Sequence, residues 1–456
     1  MTVKTTRRTF IKQAAAAGAV GPLVLSGKAR GAKSRKLRHA SIGTGRKGAD
    51  DLARIGSHPD IEIVALCDVD QNYLKQAAQR HPNARLYRDW RKLLEKEGDR
   101  IDSVNVTVPN HMHAPISMTA LRMGKHVWCQ KPLTHSIYES RKLAEEAARR
   151  PGLVTQMGVQ THSAAVYRAA VAMIQFGVIG KIKEVHSWDI VRFHYTGAFT
   201  KPPMRRRPDH ADKVPDSLDW DLWLGVAPQR PYVNELYHPR MWRRWQDFGG
   251  GAHGDMGGHM MDVVFTALEL TSPKWVTSYR TPPFEETYSP NNKVVCHFPG
   301  TKYTAGDIDY YWHDTGPVDA KSSWPIDQKK KLPGDGSMFV GEKGYLFLPH
   351  VGAPQVLPAD QTRDAIKEFD KHVGRVGELN HYHQFVDACL GRGKTTTPFG
   401  YSGRLTETIL MGTVVNRFPK EKLVWDARAL EFSNKPEANR YLRRTYRDGW
   451  HVKGLG

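Results

Sequence analysis

LRHASIGTGRKGADDLARIGSHPDIEIVALCDVD, residues 37–70, runs from a short apolar strand through a glycine-spaced turn and a helix into a second strand that ends in acid. That order is the opening βαβ unit of a dinucleotide-binding fold. Gly43 permits the tight turn after the strand, Gly45 lets backbone approach a pyrophosphate, and Gly48 lets the helix pack closely on the sheet. The helix-terminal N–H groups then face the phosphates. Asp68 lies 20 residues past Gly48, where a carboxylate accepts from the adenosine ribose and repels a 2′-phosphate. NAD is therefore expected over NADP, although Arg46 and Lys47 in the loop weaken the preference. Glycine triplets also occur in surface turns; the preceding strand, the following helix and the spaced acid together carry the reading.

The alternation continues, with helices expected near 71–80, 89–97, 113–123 and 136–150 and strands at 85–87, 102–108, 126–129 and 153–158. This predicts a doubly wound parallel sheet of six strands, a Rossmann domain over 37–158. After Gln160 the character changes. A helix over Tyr167–Val178 and a strand over Lys183–Phe193 precede an irregular Pro-, Arg- and Trp-rich segment, 197–248. Strand-like pieces near 275–280, 292–298, 302–311, 337–340 and 344–348, separated by turn signals, predict an open, mostly antiparallel sheet in an α+β domain over 159–456. Glu378–Leu390 reads as a helix whose His381 and His383 are structural.

A length of 456 residues suits two domains, and 40% hydrophobic with 25% charged residues describes a globular chain. No run approaches the roughly 18 apolar residues of a membrane span. The formal charge is +20, but residues 1–36 hold nine Lys or Arg and no acid, which leaves +11 for the remainder. Without a zinc-finger, RNA-recognition or helix-turn-helix signature, this excess suits anionic small molecules better than nucleic acid.

Thr6–Lys12 reads T-R-R-x-F-I-K and is followed by an uncharged, Ala-rich stretch as far as Lys28. It resembles a twin-arginine export signal over residues 1–32, which implies a periplasmic or secreted protein loaded with cofactor before export. Cys67, Cys129, Cys296 and Cys389 form no C-x-x-C spacing and read as buried thiols.

Two strand ends carry chemistry, Thr107-Val-Pro-Asn-His-Met-His113 and Trp128-Cys-Gln-Lys-Pro132. Here, and from residue 37 to the C-terminus, the chain resembles the Gfo/Idh/MocA oxidoreductases. In that family the first loop reads T-P-N-x-x-H and the second E-K-P; Gln130 replaces the glutamate and removes a carboxylate beside Lys131. The family's second-domain motif, G-G-G-x-x-x-D-x-G-x-H-x-x-D, is complete in Gly249–Asp262. The resemblance implies a cofactor site of Gly43, Gly45, Arg46, Gly48, Asp68, Thr107, Asn110, His113, Gln130, Lys131 and Gln160. It also implies homo-oligomers formed through the C-terminal sheet.

For catalysis the candidates are Lys131, Asp255 and His259. Removing hydride from a carbinol carbon requires a base for the hydroxyl proton and a group that holds the developing alkoxide. His259 titrates nearest neutral pH, Lys131 sits at a strand end where a nicotinamide would lie, and Asp255 is one helical turn from His259, placed to bind substrate or orient the ring. Trp242, Arg243 and Trp245, with Asp255, suit a sugar: ring faces for stacking and a guanidinium for hydroxyls or a carboxylate. Rival metal readings, His111 with His113 or His253 with Asp255 and His259, lack cysteine or H-E-x-x-H ligands, and no metal is expected.

Hydride transfer between bound NAD and a hydroxyl of a sugar, glycoside or polyol is the leading expectation. The alternative is a glycoside hydrolase or lyase that uses the same cofactor in a redox-neutral oxidation, elimination and reduction cycle. A cofactor-binding protein without catalysis is the third, and Lys131, Asp255 and His259 argue against it.

Overall fold

In the first sheet the strands β1 (Leu37–Ile42), β2 (Ile61–Cys67), β3 (Arg85–Tyr87), β4 (Ser103–Val106), β5 (His126–Gln130) and β6 (Thr155–Gly158) run parallel in the order 3-2-1-4-5-6. Central strands such as Ser103–Val106 are buried along their whole length, as a parallel sheet covered on both faces requires. The crossovers are α1 (Lys47–Gly56), α2 (Gln71–Arg80), α3 (Trp90–Glu97), α4 (His113–Arg122) and α5 (Ile137–Ala148). The sequence supplies their caps: Asp70 accepts from Asn72 N (2.9 Å), Asp89 from Arg91 N (2.9 Å), and Ser136 with Glu139 forms a capping box on α5. Helix α1 differs. Arg46 at its start has φ +50° and contributes no side-chain cap.

This computed structural model describes residues 36–190, 204–288, 291–316, 323–326 and 333–456. The export signal read over 1–32 lies outside the described residues, as do the end of the strand expected over 183–193 and the first residues of the irregular segment.

Helix α6 (Ala165–Phe176) leads into a second sheet of nine strands, ordered β13-β12-β11-β7-β10-β9-β8-β14-β15. Among the described residues only β7 (Ile182–Asp189) and β10 (Thr304–His313) pair in parallel here; β8 (Trp275–Ser278), β9 (Lys293–Phe298), β11 (Asp335–Gly341), β12 (Tyr345–Pro349), β13 (Gln355–Leu357), β14 (Leu423–Asp426) and β15 (Glu431–Phe432) join antiparallel. Between the irregular segment and this sheet comes α8 (Gly251–Leu268), which follows the short α7 (Trp220–Leu224). Three helices follow β13: α9 (Ala359–His372), α10 (His381–Cys389) and α11 (Phe399–Val415).

Helix α11 packs between α5 and α8 and is buried nearly all round. Helix α10 packs on the first sheet, where Tyr382, Phe385 and Val386 share a core cluster with Leu37, Ile55, Ile61 and Trp128. Tyr382 stacks on Trp128 at 5.8 Å.

The aromatic residues of the irregular segment build a core of their own. Trp223, Tyr232, Tyr237, Trp242, Trp245 and Phe248 cluster with little regular structure around them. The segment is pinned to the corner after β2 by Gln71 N donating to Ser217 O (2.9 Å) and Asp219 N donating to Val69 O (3.0 Å). Cys67, Cys129 and Cys296 are buried thiols, and Cys389 is half-buried. Among the described residues no helix is long and apolar enough to cross a membrane.

Candidate active site

The carboxyl ends of the parallel strands open into a cleft of about 730 Å³ roofed by the pinned segment. At its floor the glycine loop is tightly shaped. A Cβ on Gly43, whose φ is +88°, would lie 2.1 Å from Thr107 O, and one on Gly48 would lie 2.3 Å from Gly43 O. A Cβ on Gly45 would meet the ring of Tyr73 at 2.3 Å, so this glycine makes room for an aromatic face over the loop. His238 packs edge-on against that ring (5.8 Å) and reaches Asp70 with Nε2 at 3.1 Å, closing the roof over the loop end of the cleft.

Asp68 is held by the loop it faces. Its Oδ2 accepts from Thr44 N (2.7 Å), Thr44 Oγ1 (3.2 Å) and Gly45 N (3.2 Å), and its Oδ1 accepts from Asp70 N (2.9 Å). One lone pair on Oδ1 is left for a ribose hydroxyl. Burial pushes this carboxyl up, against the pull of those backbone donors. Lys47 is bonded to Asp50 (2.6 Å), Asp51 (2.6 Å) and Tyr382 Oη (3.0 Å), so only the exposed Arg46 is left to weaken a preference against 2′-phosphate.

Asp51, not singled out from the sequence, is the hub beneath the loop. This buried carboxylate takes Lys47 Nζ (2.6 Å) and Tyr382 Oη (3.1 Å) on Oδ1, and Gln130 Nε2 (3.0 Å) and Thr107 Oγ1 (3.1 Å) on Oδ2. Burial pushes it up while Lys47, Gln130 and Thr107 pull it down. Gln130 in turn accepts from Lys131 N with Oε1 (3.1 Å). The amide at 130 thus fits a place where a second carboxylate would face Asp51.

His113 spends both ring nitrogens on carbonyl oxygens, Pro132 O and Val108 O, each at 2.8 Å. Burial lowers it to about 4, and a neutral ring donates from only one of these nitrogens; with both facing carbonyl oxygens, it offers none to a cofactor. Asn110 is buried at the cleft wall, and Gln160 Oε1 points into a buried position without a hydrogen-bond partner. That orphaned acceptor, the shaped glycine loop and the open start of α1 fit a dinucleotide.

At the other end, Lys131 Nζ donates to Asp255 O (2.6 Å) and Asp255 Oδ1 (3.0 Å), its stem lying along Gly258 of α8. Arg243 Nε reaches the same Oδ1 at 3.3 Å. Burial alone would raise Asp255, but Lys131 and Arg243 outweigh it and hold the carboxyl down at about 2. One turn on, His259 presents Nδ1 to Thr161 Oγ1 at 3.3 Å, and its ring lies 5.0 Å from that of His350, which follows β12. Neither Thr161 nor His350 carried a sequence signal, because one follows β6 and the other β12, and they meet α8 only in the folded chain.

Two substrate candidates change standing. Trp245 is fully buried in the aromatic core, donates Nε1–H to Leu236 O (3.0 Å) and does not line the cleft. Trp242 lines it, but the Arg243 guanidinium already covers its ring at 4.3 Å. The metal readings also fail: His253 turns away from the cleft onto Trp312 (4.9 Å), His111 bonds Trp223 O (3.1 Å), and among the described residues no three His, Cys, Asp or Glu gather as a metal set.

A parallel sheet in dinucleotide order, a glycine loop with its ribose acid and a Lys-Asp-His set in one cleft define a nucleotide-dependent oxidoreductase. Two models of one oxidoreductase family match the chain, its NAD-binding Rossmann fold over 37–158 and its C-terminal alpha/beta domain over 191–278. The scyllo-inositol 2-dehydrogenase (NAD(+)) of Bacillus subtilis is 31% identical over 370 residues, 79% of this chain and 88% of that protein. The chain belongs to the Gfo/Idh/MocA family of NAD-binding oxidoreductases. A glycosyl hydrolase family 109 protein of Stenotrophomonas maltophilia (34%, 27% of this chain) and the inositol 2-dehydrogenase of Salmonella typhimurium (26%, 33% of this chain) align over only 29% and 45% of their own lengths. In fold, the chain is similar to the WlbA dehydrogenase of Bordetella pertussis, with a TM-score of 0.59 at 15% identity over 86% of this chain and 99% of that one.

Proposed function

We propose that this protein moves hydride between NAD and a hydroxyl-bearing carbon of a sugar, glycoside or polyol. The observation that carries the reading is that Lys131, Asp255 and His259 converge in the cleft whose other end is the glycine loop. Held along the loop by Gly43, Gly45, Gly48 and Asp68, with Gln130 and Gln160 further in, NAD would supply the hydride acceptor. The chain's own work is proton handling and orientation. Thr161 Oγ1, 3.3 Å from His259 Nδ1, orients the ring that would take the hydroxyl proton. Lys131 Nζ, aimed by Asp255, holds the oxygen as its proton leaves.

Incubating the purified protein and NAD with a panel of sugars, polyols and aryl glycosides tests this. NADH appearing with a hydroxyl compound supports the proposal. Aglycone released with no net NADH selects redox-neutral glycoside cleavage in the same cleft, and neither signal across the panel overturns both.

The T-R-R-x-F-I-K start supports a mature protein that works outside the cytoplasm after twin-arginine export, which fractionation of a twin-arginine-deficient host tests. The open nine-stranded sheet supports a homo-oligomer formed through that sheet, which light scattering would read.

A further inference from the structure

Both ends of the cleft carry basic groups, Arg46, Lys47 and Arg88 at the glycine-loop end and Lys131 and Arg243 at the other. Of the acids lining it, Asp50 and Asp68 stand at the glycine-loop end, bonded to Lys47 and to the Thr44–Gly45 backbone. That leaves Asp255 facing Lys131 and Arg243, both on its Oδ1. His238 of the roof is paired with Asp70. The reacting end therefore carries more fixed positive than negative charge, in a place where the Lys131 and Asp255 side chains are only 12% and 14% exposed. An excess charge so enclosed is costly unless something bound there answers it.

Arg243 is the group that nothing in the proton chemistry requires. Its guanidinium is held on three sides: Nε on Asp255 (3.3 Å), Nη1 on Arg240 O (3.3 Å) and the plane over Trp242 (4.3 Å). Its Nη2 has no protein partner among the described residues, and the side chain is 28% exposed, towards the cleft. A guanidinium so fixed, with one N–H edge open, is a receptor for an oxyanion. A lysine there would be a movable point charge.

We propose that the substrate is an acidic sugar or polyol, whose carboxylate sits on Arg243 while the neighbouring carbinol meets Lys131 and His259. This rests on the hydride-transfer reading for the carbinol, but the carboxylate site stands on the charge balance alone.

The test is calorimetric titration of the full-length protein with saturating NAD against matched pairs: D-gluconate and D-glucitol, D-glucuronate and D-glucose, D-galactonate and D-galactitol. D-Glucose 6-phosphate is run beside them. In at least one pair the acid is expected to bind about 10- to 100-fold tighter than its neutral twin, the range that charge-assisted hydrogen bonds give, and the gap narrows with added salt. Arg243→Gln should collapse the gap to about twofold, and Arg243→Lys should recover part of it with a normal melting curve. Neutral twins binding as well as every acid, no acid binding at all, an acid preference that survives Arg243→Gln, or a preference for the phosphate ester each overturns the proposal. NADH formed from a neutral polyol while no acid binds would sink this inference and leave the hydride reading standing. Arg243-dependent binding of acids with no NADH from any compound would do the reverse.

Discussion

Gln130→Glu should destabilise this protein in a way that pH reverses. In the native protein Gln130 Nε2 is 3.0 Å from Asp51 Oδ2, so the new carboxylate would stand about that far from an existing one. Two unit charges 3 Å apart repel by about 5 to 6 kcal/mol at an effective dielectric constant of about 20. Lys47 offers little relief, because it bonds the other oxygen of Asp51. Taking up a proton is cheaper. Keeping a carboxyl of ordinary pKa, about 4.3, neutral at pH 7 costs about 3.7 kcal/mol, and at pH 5 about 1 kcal/mol. The protonated group can still donate to Asp51, so at low pH the local structure survives.

The sign follows from proton counting. Between about pH 4.3 and the raised native pKa, the folded variant binds one proton more than its unfolded chain, so its stability relative to wild type falls as pH rises, by about 1.4 kcal/mol per unit. Denaturant melts of both proteins at pH 5, 6 and 7 measure this. The deficit should grow by about 2.7 kcal/mol from pH 5 to pH 7, and Asp51→Asn added to Gln130→Glu should remove most of that growth. A deficit equal at every pH would mean that packing, not the facing carboxylates, decides the residue at 130.

Other outcomes follow from the same geometry. His259→Ala should lose about 10²- to 10⁴-fold in kcat with NAD still bound, and Lys131→Met at least as much; wild-type turnover in either removes that residue from the mechanism. Gly45→Ala should cost about 1–3 kcal/mol by displacing Tyr73, a loss that Tyr73→Ala in the same chain relieves in melting experiments. Fluorescence titration should show NAD binding tighter than NADP, because the one lone pair left on Asp68 suits a hydroxyl and not a phosphate; equal affinities would release Asp68 from that role. Burial lowers His39, His113 and His381 to about 4 and His111 and His253 to about 3. The unfolded chain takes up these protons first, so stability should fall from about pH 6.5 towards 4, each histidine adding up to about 1.4 kcal/mol per unit. A flat acid limb in chemical denaturation would contradict this.

The glycine loop was legible because its residues act through the backbone at fixed spacing, and the parallel strand order followed from the alternation of periods around it. Helix α11 carried no such signal: Phe399–Val415 is buried almost all round with Ser402, Thr406, Glu407 and Thr408 among its buried residues, so there is no apolar stripe to count. Trp245 misled because an aromatic-rich irregular segment looks the same whether its rings form a core or face a sugar. The role of Gln130 was hidden for another reason. The carboxylate that explains it, Asp51, lies 79 residues earlier and meets it only across the sheet.

Helix α10 closes the nucleotide-binding half from far along the chain, through Tyr382 on Asp51 and through Phe385 and Val386 against Leu37 and Ile55. The parallel sheet ends at residue 158, but the packing around it does not, because residues 37–456 form one compact unit. During synthesis the glycine loop's underside stays open until more than 200 further residues have emerged, a long closure that slows folding. Completing the underside of the loop is accordingly a late step: Tyr382 reaches Asp51 only after most of the chain has been made.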